Sequence, residues 1–251
     1  MYPFTPNFLD SLCVKVARQL NQLPNELEQA EAEEFFKKGT HLILPATSAE
    51  KIRVSEQEAR FLLTQQLEQY EIYYAVETPT QQRYQFKGTH GDRSASTDVT
   101  LFERSPDNGF TRKVQVKLKA HNVQLENITK DFEKLLQEKE SGLFFHILEA
   151  ANSGTLTSDA SRKGVLLKYR NAFMDLWGKF DRKKEATWFL HFVIFCMNPA
   201  FILSKTVTAE DLCAIERFFD FQYRIIGGEI NVIDNNGWSV LDFQNDQDGA
   251  G

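Results

Sequence analysis

The chain opens on a three-and-four-residue rhythm. Phe8, Leu9, Leu12, Cys13, Val16, Ala17 and Leu20 recur as one face of a helix, and Pro24 follows. An acidic stretch from Asn25 to Lys38 comes next, so residues 1–50 read as an N-terminal helical extension that packs onto something else. A second helix is predicted from about Ser55. Ser55 and Glu58 stand three apart, the spacing of a capping box, in which hydroxyl and carboxylate each satisfy a free backbone donor. Phe61, Leu62, Leu63, Leu67 and Tyr70 supply its apolar face.

Then the period drops to two. Ile72 to Val76 and Arg83 to Phe86 read as strands around a turn at Thr78-Pro79-Thr80, Thr97 to Phe102 as a third and Lys113 to Ala120 as a fourth. Ser105-Pro106-Asp107-Asn108-Gly109 is turn chemistry, which makes the last two a hairpin. A helix is predicted from about Ile128 to Glu138. The unbroken apolar run Leu143 to Leu148 predicts an inner strand covered on both faces. Ser158 to about Phe180 reads as a helix, Trp188 to Leu203 as two strands broken at Asn198-Pro199, and Ala209 to Phe221 as a short helix. Tyr223 to Phe243 fits one or two edge strands with a turn at Asn235-Asn236-Gly237, and Gln244 to Gly251 a disordered tail. This order predicts an α/β protein with a mixed β-sheet flanked by helices.

Composition narrows the class. With 251 residues, 42% of them hydrophobic, 25% charged and 21 of them Phe, the chain is too apolar for a disordered protein and too charged for a membrane bundle. The length suits one large domain, here residues 51–243, beside the helical extension. Ala186 to Ser204 is rich in Phe, Ile and Val, but His191, Asn198 and Pro199 favour two strands over a spanning helix. Cys13, Cys196 and Cys213 are odd in number and lack CxxC spacing, against a disulfide framework or a zinc site. Met1 to Pro6 lacks the basic and apolar regions of a secretory signal, so a cytoplasmic location is expected. His41, His90, His121, His146 and His191 show no metal-ligand spacing, and His146 and His191, in apolar runs, read as core histidines. A Gly-rich phosphate loop and GxSxG are absent.

The net charge of −6 speaks to solubility, and a local basic patch can still bind phosphate. Arg162, Lys163, Lys168, Arg170, Lys179, Arg182, Lys183 and Lys184 face only Asp175 and Asp181 in their segment. They form either a solvated helix face with a basic loop, or a ridge that tracks nucleic-acid phosphates.

Gln115, Lys117 and Lys119 alternate along one strand and so share a face. Lysines buried there would need acidic partners, and Asp98 on the preceding strand is the obvious one. The face is therefore either solvent-exposed, with Asp98 a simple cross-strand partner, or an ionic site.

The collinear segments Ser55-Glu56-Gln57-Glu58-Ala59-Arg60-Phe61, Val76-Glu77-Thr78-Pro79-Thr80, Arg93-Ser94-Ala95-Ser96-Thr97-Asp98, Lys119-Ala120-His121-Asn122, Lys130-Asp131-Phe132 and Gly142-Leu143-Phe144-Phe145-His146 resemble the PD-(D/E)XK nuclease-like superfamily. The resemblance covers roughly residues 50 to 160 and implies a restriction-endonuclease-like core. There a helix carboxylate, a strand Asp and a Glu-x-Lys pair surround Mg²⁺, a hard ion that wants oxygen ligands and activates water for phosphodiester hydrolysis. It places Asp98 as the strand Asp. Glu58, on the stripe of Val54, Phe61 and Leu62, is the first choice for the helix carboxylate, though capping would also explain it. Glu56 is the second choice. The Glu-x-Lys pair departs from the pattern. Either Gln115-x-Lys117 is the pair, making Asp98, Glu58 and Gln115 the metal ligands, or Lys119 is the family lysine and Lys117 stands where Glu should be. In the second register an ammonium beside Asp98 would take the metal's place, at about 4 kcal/mol for unit charges ~4 Å apart at an effective dielectric of ~20. The implied function is Mg²⁺-dependent cleavage of DNA, in a bacterial defence system by the resemblance alone. Arg93, Lys163, Lys168 and Arg170 are the expected nucleic-acid contacts. The alternatives are an inactive nuclease fold that binds nucleic acid or assembles with protein, and a scaffold whose N-terminal helices dock a partner.

Overall fold

A computed structural model describes residues 4–28, 41–49, 51–85, 94–158, 164–179, 184–213 and 219–242. The expected tail at 244–251, and most of the acidic stretch before Lys38, lie outside these residues. Thr5 caps helix α1 (Pro6–Gln22) by accepting from the Phe8 amide at 3.3 Å, and Pro6 sits in the first turn, where its missing N–H costs no hydrogen bond. Helix α2 (Glu56–Gln69) opens on the expected capping box: the Ser55 hydroxyl accepts from the Gln57 amide and Glu58 accepts from the Ser55 amide at 2.7 Å. Its buried face is Ala59, Leu62, Leu63, Gln66 and Leu67. Phe61 is 50% exposed, one step off that stripe.

Seven strands form a mixed sheet in the order β1 (Tyr73–Pro79), β2 (Ser96–Arg104), β3 (Phe110–Ala120), β4 (Ser141–Ala150), β5 (Phe189–Asn198), β6 (Ala200–Thr208), β9 (Ser239–Leu241). The central β3, β4 and β5 run parallel, and the remaining pairs antiparallel. Parallel neighbours need crossovers, supplied by helices α3 (Leu125–Gln137) and α4 (Val165–Leu176). Strands β7 (Gln222–Ile226) and β8 (Glu229–Asp234) form a separate hairpin turned by Gly227 and Gly228, both at positive φ. The molecule is thus an α/β protein with, among the described residues, four α-helices and a seven-stranded sheet that is parallel at its centre.

Both sheet faces are covered. Val99, Leu101, Val116, Leu118, Leu143, Phe145 and Val193 pack with the buried stripes of α1 and α2. Phe144, Leu190, Phe192 and Ile194 pack on the other face with Ile128, Phe132 and Leu135 of α3 and Tyr169 and Phe173 of α4. The apolar stripe of α1 is therefore spent inside the molecule. His191 ties α1 down as well, with Nε2 2.8 Å from Asp10 Oδ1 and Nδ1 2.9 Å from Thr206 Oγ1. Among the described residues no helix is long and apolar enough to cross a membrane, and Cys13 and Cys196 are free thiols.

Four element boundaries differ from the sequence pattern. Thr78 and Pro79 are not a turn but the last two paired residues of β1, opposite Thr97 and Ser96; a proline is tolerated there because β1 is the sheet edge. Arg83 to Phe86 forms no strand within its described residues; Tyr84 is buried by itself, and Phe86 lies outside them. Helix α4 starts at Val165 rather than Ser158, because 152–158 is a turn closed by Asn152 and Thr155, and Gly164 passes so near it that a Cβ would meet the Leu156 carbonyl at 2.8 Å. Ala209 to Phe221 holds only a short 3-10 turn, Asp211–Cys213, among its described residues.

Candidate functional site

Alternation along β3 left open whether the face of Gln115, Lys117 and Lys119 is solvent-exposed or an ionic site, and at Gln115 and Lys117 it is dry. Val114, Val116 and Leu118 point into the α1–α2 layer, and Gln115 and Lys117 are as buried on the α3 side, at 1% and 6% exposure. The antiparallel register pairs Val99 with Val116 and Thr100 with Gln115, which sets Asp98 opposite Lys117. Their side chains meet: Lys117 Nζ lies 2.7 Å from Asp98 Oδ1. Asp98 Oδ2 accepts from the Leu118 amide at 2.6 Å. Each oxygen of the strand aspartate is thus held by a donor from β3.

Helix α3 adds a carboxylate that neither periodicity nor spacing singled out. Asp131 stands next to Phe132 on the helix's buried stripe and is 4% exposed. Lys119 Nζ lies 2.7 Å from its Oδ2, Lys134 Nζ 3.2 Å from Oδ1, and Lys117 Nζ 3.7 Å from Oδ1. Burial by itself would raise the Asp131 carboxyl, but the three ammonium groups together hold it below the usual aspartate range. For Lys119, burial favours the neutral amine, and Asp131, Glu56 and Asp98 outweigh it, so its pKa is raised. Lys134 goes the other way: desolvation, joined by repulsion from Lys117, lowers it despite Asp131. The outermost member is Glu56, in the first turn of α2, whose Oε1 lies 3.4 Å from Lys119 Nζ and whose side chain is 39% exposed. Of the groups suggested by sequence, Asp98, Lys117, Lys119 and the second-choice Glu56 converge, joined by Asp131 and Lys134 in one ionic cluster, while Glu58 and Gln115 stand apart from it.

Gln115 belongs to a neighbouring polar node. Its Nε2 donates to Glu138 Oε2 at 3.1 Å and Glu140 Oε2 at 2.9 Å, and its Oε1 is buried without a hydrogen-bond partner. Glu138, 1% exposed just past α3, also accepts from the Gln81 and Gln82 amides, both at 2.9 Å, and from the Tyr84 hydroxyl at 2.8 Å. It anchors the 81–84 segment to the sheet, and burial together with this carboxylate raises the Tyr84 hydroxyl pKa. Glu138→Gln replaces one acceptor oxygen by a donor facing donors. It is expected to cost about 2 kcal/mol in urea unfolding, the scale of one hydrogen bond to a charged group plus a stranded donor. A variant that unfolds at the wild-type midpoint would show that Glu138 anchors nothing.

The other predicted residues are placed as follows. Glu58 turns back onto Ser55, bonding both its amide and its hydroxyl, and serves as the cap of α2. Of the two helix carboxylates, Glu56 is the one at the cluster. Lys168 is 8% exposed and donates to the Asn122 side chain and, at 2.9 Å, to the Val123 carbonyl, so it braces the loop after β3. Arg170 faces Asp220 at 3.9 Å, and Lys184 donates to the Glu138 carbonyl at 2.6 Å. Arg93 and Lys163 lie outside the described residues. In the described part of the basic segment, Lys168 and Lys184 are therefore internal braces and Arg170 one side of a surface pair, while Lys179 is exposed. His146 is fully buried between Tyr169 and the His121 carbonyl, a satisfied core histidine like His191.

A divalent metal ion does not fit this donor set. Asp98 has an ammonium on one oxygen and an amide N–H on the other, and the Gln115 amide nitrogen, not its oxygen, faces the nearest carboxylates. Among the described residues no group of three or more His, Cys, Asp or Glu side chains could hold a metal ion. What the arrangement offers instead is a set of lysines paired with internal carboxylates, most open to solvent at Glu56 and only slightly so at Lys119, Lys134 and Asp98. No protein-family model, no curated protein and no solved structure matches the chain, so the functional reading rests on this geometry and on the resemblance of its short motifs.

Proposed function

We propose that this protein is a restriction-endonuclease-like fold whose site no longer cuts, and that it serves as a nucleic-acid-binding subunit. The observation that carries the reading is the 2.7 Å contact between Lys117 Nζ and Asp98 Oδ1, in the place where the superfamily pattern expects a metal. An ammonium group supplies the positive charge that Mg²⁺ would supply there, but it coordinates no water and acidifies none. Hydrolysis by the pattern's Mg²⁺ route would first require Lys117 to leave a carboxylate on which it is 7% exposed. Binding does not require Lys117 to leave Asp98, since lysine charge at the solvent side of the cluster can hold a phosphodiester.

The test uses the full chain, labelled DNA and RNA oligonucleotides, and Mg²⁺ or Mn²⁺. Expected are binding that weakens as salt rises, no cleavage with either metal, and no Mn²⁺ uptake by calorimetry. Lys117→Glu, which turns the central cation into a carboxylate beside Asp98, is expected to gain Mn²⁺ binding. Metal-dependent cleavage by the wild type that Asp98→Ala abolishes would overturn the reading in favour of an active nuclease. Absence of nucleic-acid binding at low salt would overturn it in favour of a scaffold.

A further inference from the structure

The ionic cluster has a graded architecture that tells its permanent members from its replaceable one. Asp98, Lys117 and Asp131 have side chains 13%, 7% and 6% exposed and are locked at 2.7 to 3.7 Å. Lys119 and Lys134, 13% and 15% exposed, close on Asp131 from the solvent side. Among the described ion pairs of the cluster, these three lysines meet two buried carboxylates, Asp98 and Asp131. The third carboxylate is Glu56, the most exposed member at 39%, through a contact of 3.4 Å, longer than those of Lys119 and Lys134 to Asp131. Glu56 stands in the first turn of α2, where the helix dipole favours an anion. Its departure would leave Lys119 with a vacant donor direction beside a helix N-terminus, at less cost than moving any other member of the cluster, since Glu56 is the most exposed of them.

From this gradient we propose that Glu56 is an internal stand-in for a phosphate group, and that a nucleic-acid phosphodiester binds by displacing its carboxylate from Lys119. The proposal rests on the nucleic-acid reading above and adds a latch to it. Asp131 holds the Lys119 ammonium at the inner end of the contact, and Glu56 holds the outer position closed until a stronger anion competes. The phosphodiester brings the same single negative charge as the carboxylate it replaces, so the buried lysines are never left uncompensated.

The experiment measures binding of a fluorescein-labelled oligonucleotide to the full chain across a salt series. The variants are Glu56→Gln, Lys119→Gln and the double variant, with Glu229→Gln on exposed β8 as a control of equal charge change. Glu56→Gln is expected to tighten binding about tenfold, the scale of one freed charged contact. Lys119→Gln is expected to weaken binding and flatten the salt dependence by about one counterion. The double variant is expected to bind like Lys119→Gln, because the latch acts only through that lysine. If Glu56→Gln gains no more than Glu229→Gln, or keeps its gain without Lys119, the latch is wrong while the binding reading stands. If neither the wild type nor Glu56→Gln binds at low salt, both fall.

Discussion

Lys117→Met is expected to destabilise the fold by about 3–5 kcal/mol, the cost of stranding one partner of a buried ion pair. The replacement has a similar length and no charge, so packing is nearly kept and the loss is electrostatic. Asp98 Oδ1 would face a thioether methyl, and Asp131 would lose one of its three cations. Adding Asp98→Asn should recover most of the loss, since the amide oxygen can still accept from the Leu118 amide while the unpaired charge disappears. Urea unfolding of wild type, single and double variants measures this. A single-variant loss below about 1 kcal/mol would mean that the Asp98–Lys117 pair is hydrated and not the closed site described above.

Acid is expected to weaken the protein through His146. This ring is fully buried. Its Nε2 donates to the His121 carbonyl at 2.5 Å, which leaves Nδ1 to accept from the Tyr169 hydroxyl at 2.6 Å. Both nitrogens are satisfied in the neutral ring, and burial pushes its pKa down from 6.5 to about 4 against the opposing pull of the His121 carbonyl. Between those pH values the unfolded chain takes up a proton that the folded chain refuses. Stability is therefore complete above about pH 6.5 and is lost as pH falls to about 4, at ~1.4 kcal/mol per pH unit and about 3 kcal/mol in all. Asp131, held below its ordinary range by three lysines, adds a further loss at lower pH, where its ion pairs are protonated away. In His146→Gln the amide can serve both partners without titrating, so the slope between pH 6.5 and 4 should flatten. An unchanged slope in that variant would assign the acid sensitivity to the carboxylates instead.

Much of the fold was legible because its signals are local. The capping box of α2, the β2–β3 hairpin at Ser105 to Gly109, the dry β4 and the Asn198-Pro199 break each rest on a short stretch of residues whose conformational preferences agree. The boundaries that moved were set from a distance. Pro79 stays in β1 because Ser96 pairs with it, and Tyr84 is buried without a strand because Glu138 holds it.

The site divides along the same line. The sequence by itself determined that Gln115, Lys117 and Lys119 share a face and that Asp98 precedes them on a neighbouring strand, since alternation along a strand is a property of the backbone. It left open whether that face is wet, which register of the lysine strand matters, and which helix carboxylate joins. The first turn of α2 brings Glu56 to the cluster, and whether the face is dry was decided by the packing of α3. That helix dries the face and brings in Asp131, a residue marked in the sequence by its place beside Phe132 on an apolar stripe and by the Lys130-Asp131-Phe132 segment of the resemblance. The β2–β3 register gives Lys117 to Asp98 and α3 gives Lys119 an acidic partner in Asp131, while α2 keeps Glu58 for its own cap and extends Glu56 to Lys119. A charge on a sequence has no environment. Whether a lysine is a surface ornament, a counter-ion or a ligand's partner is set by desolvation and by the carboxylates that tertiary contacts place within a few ångströms of it.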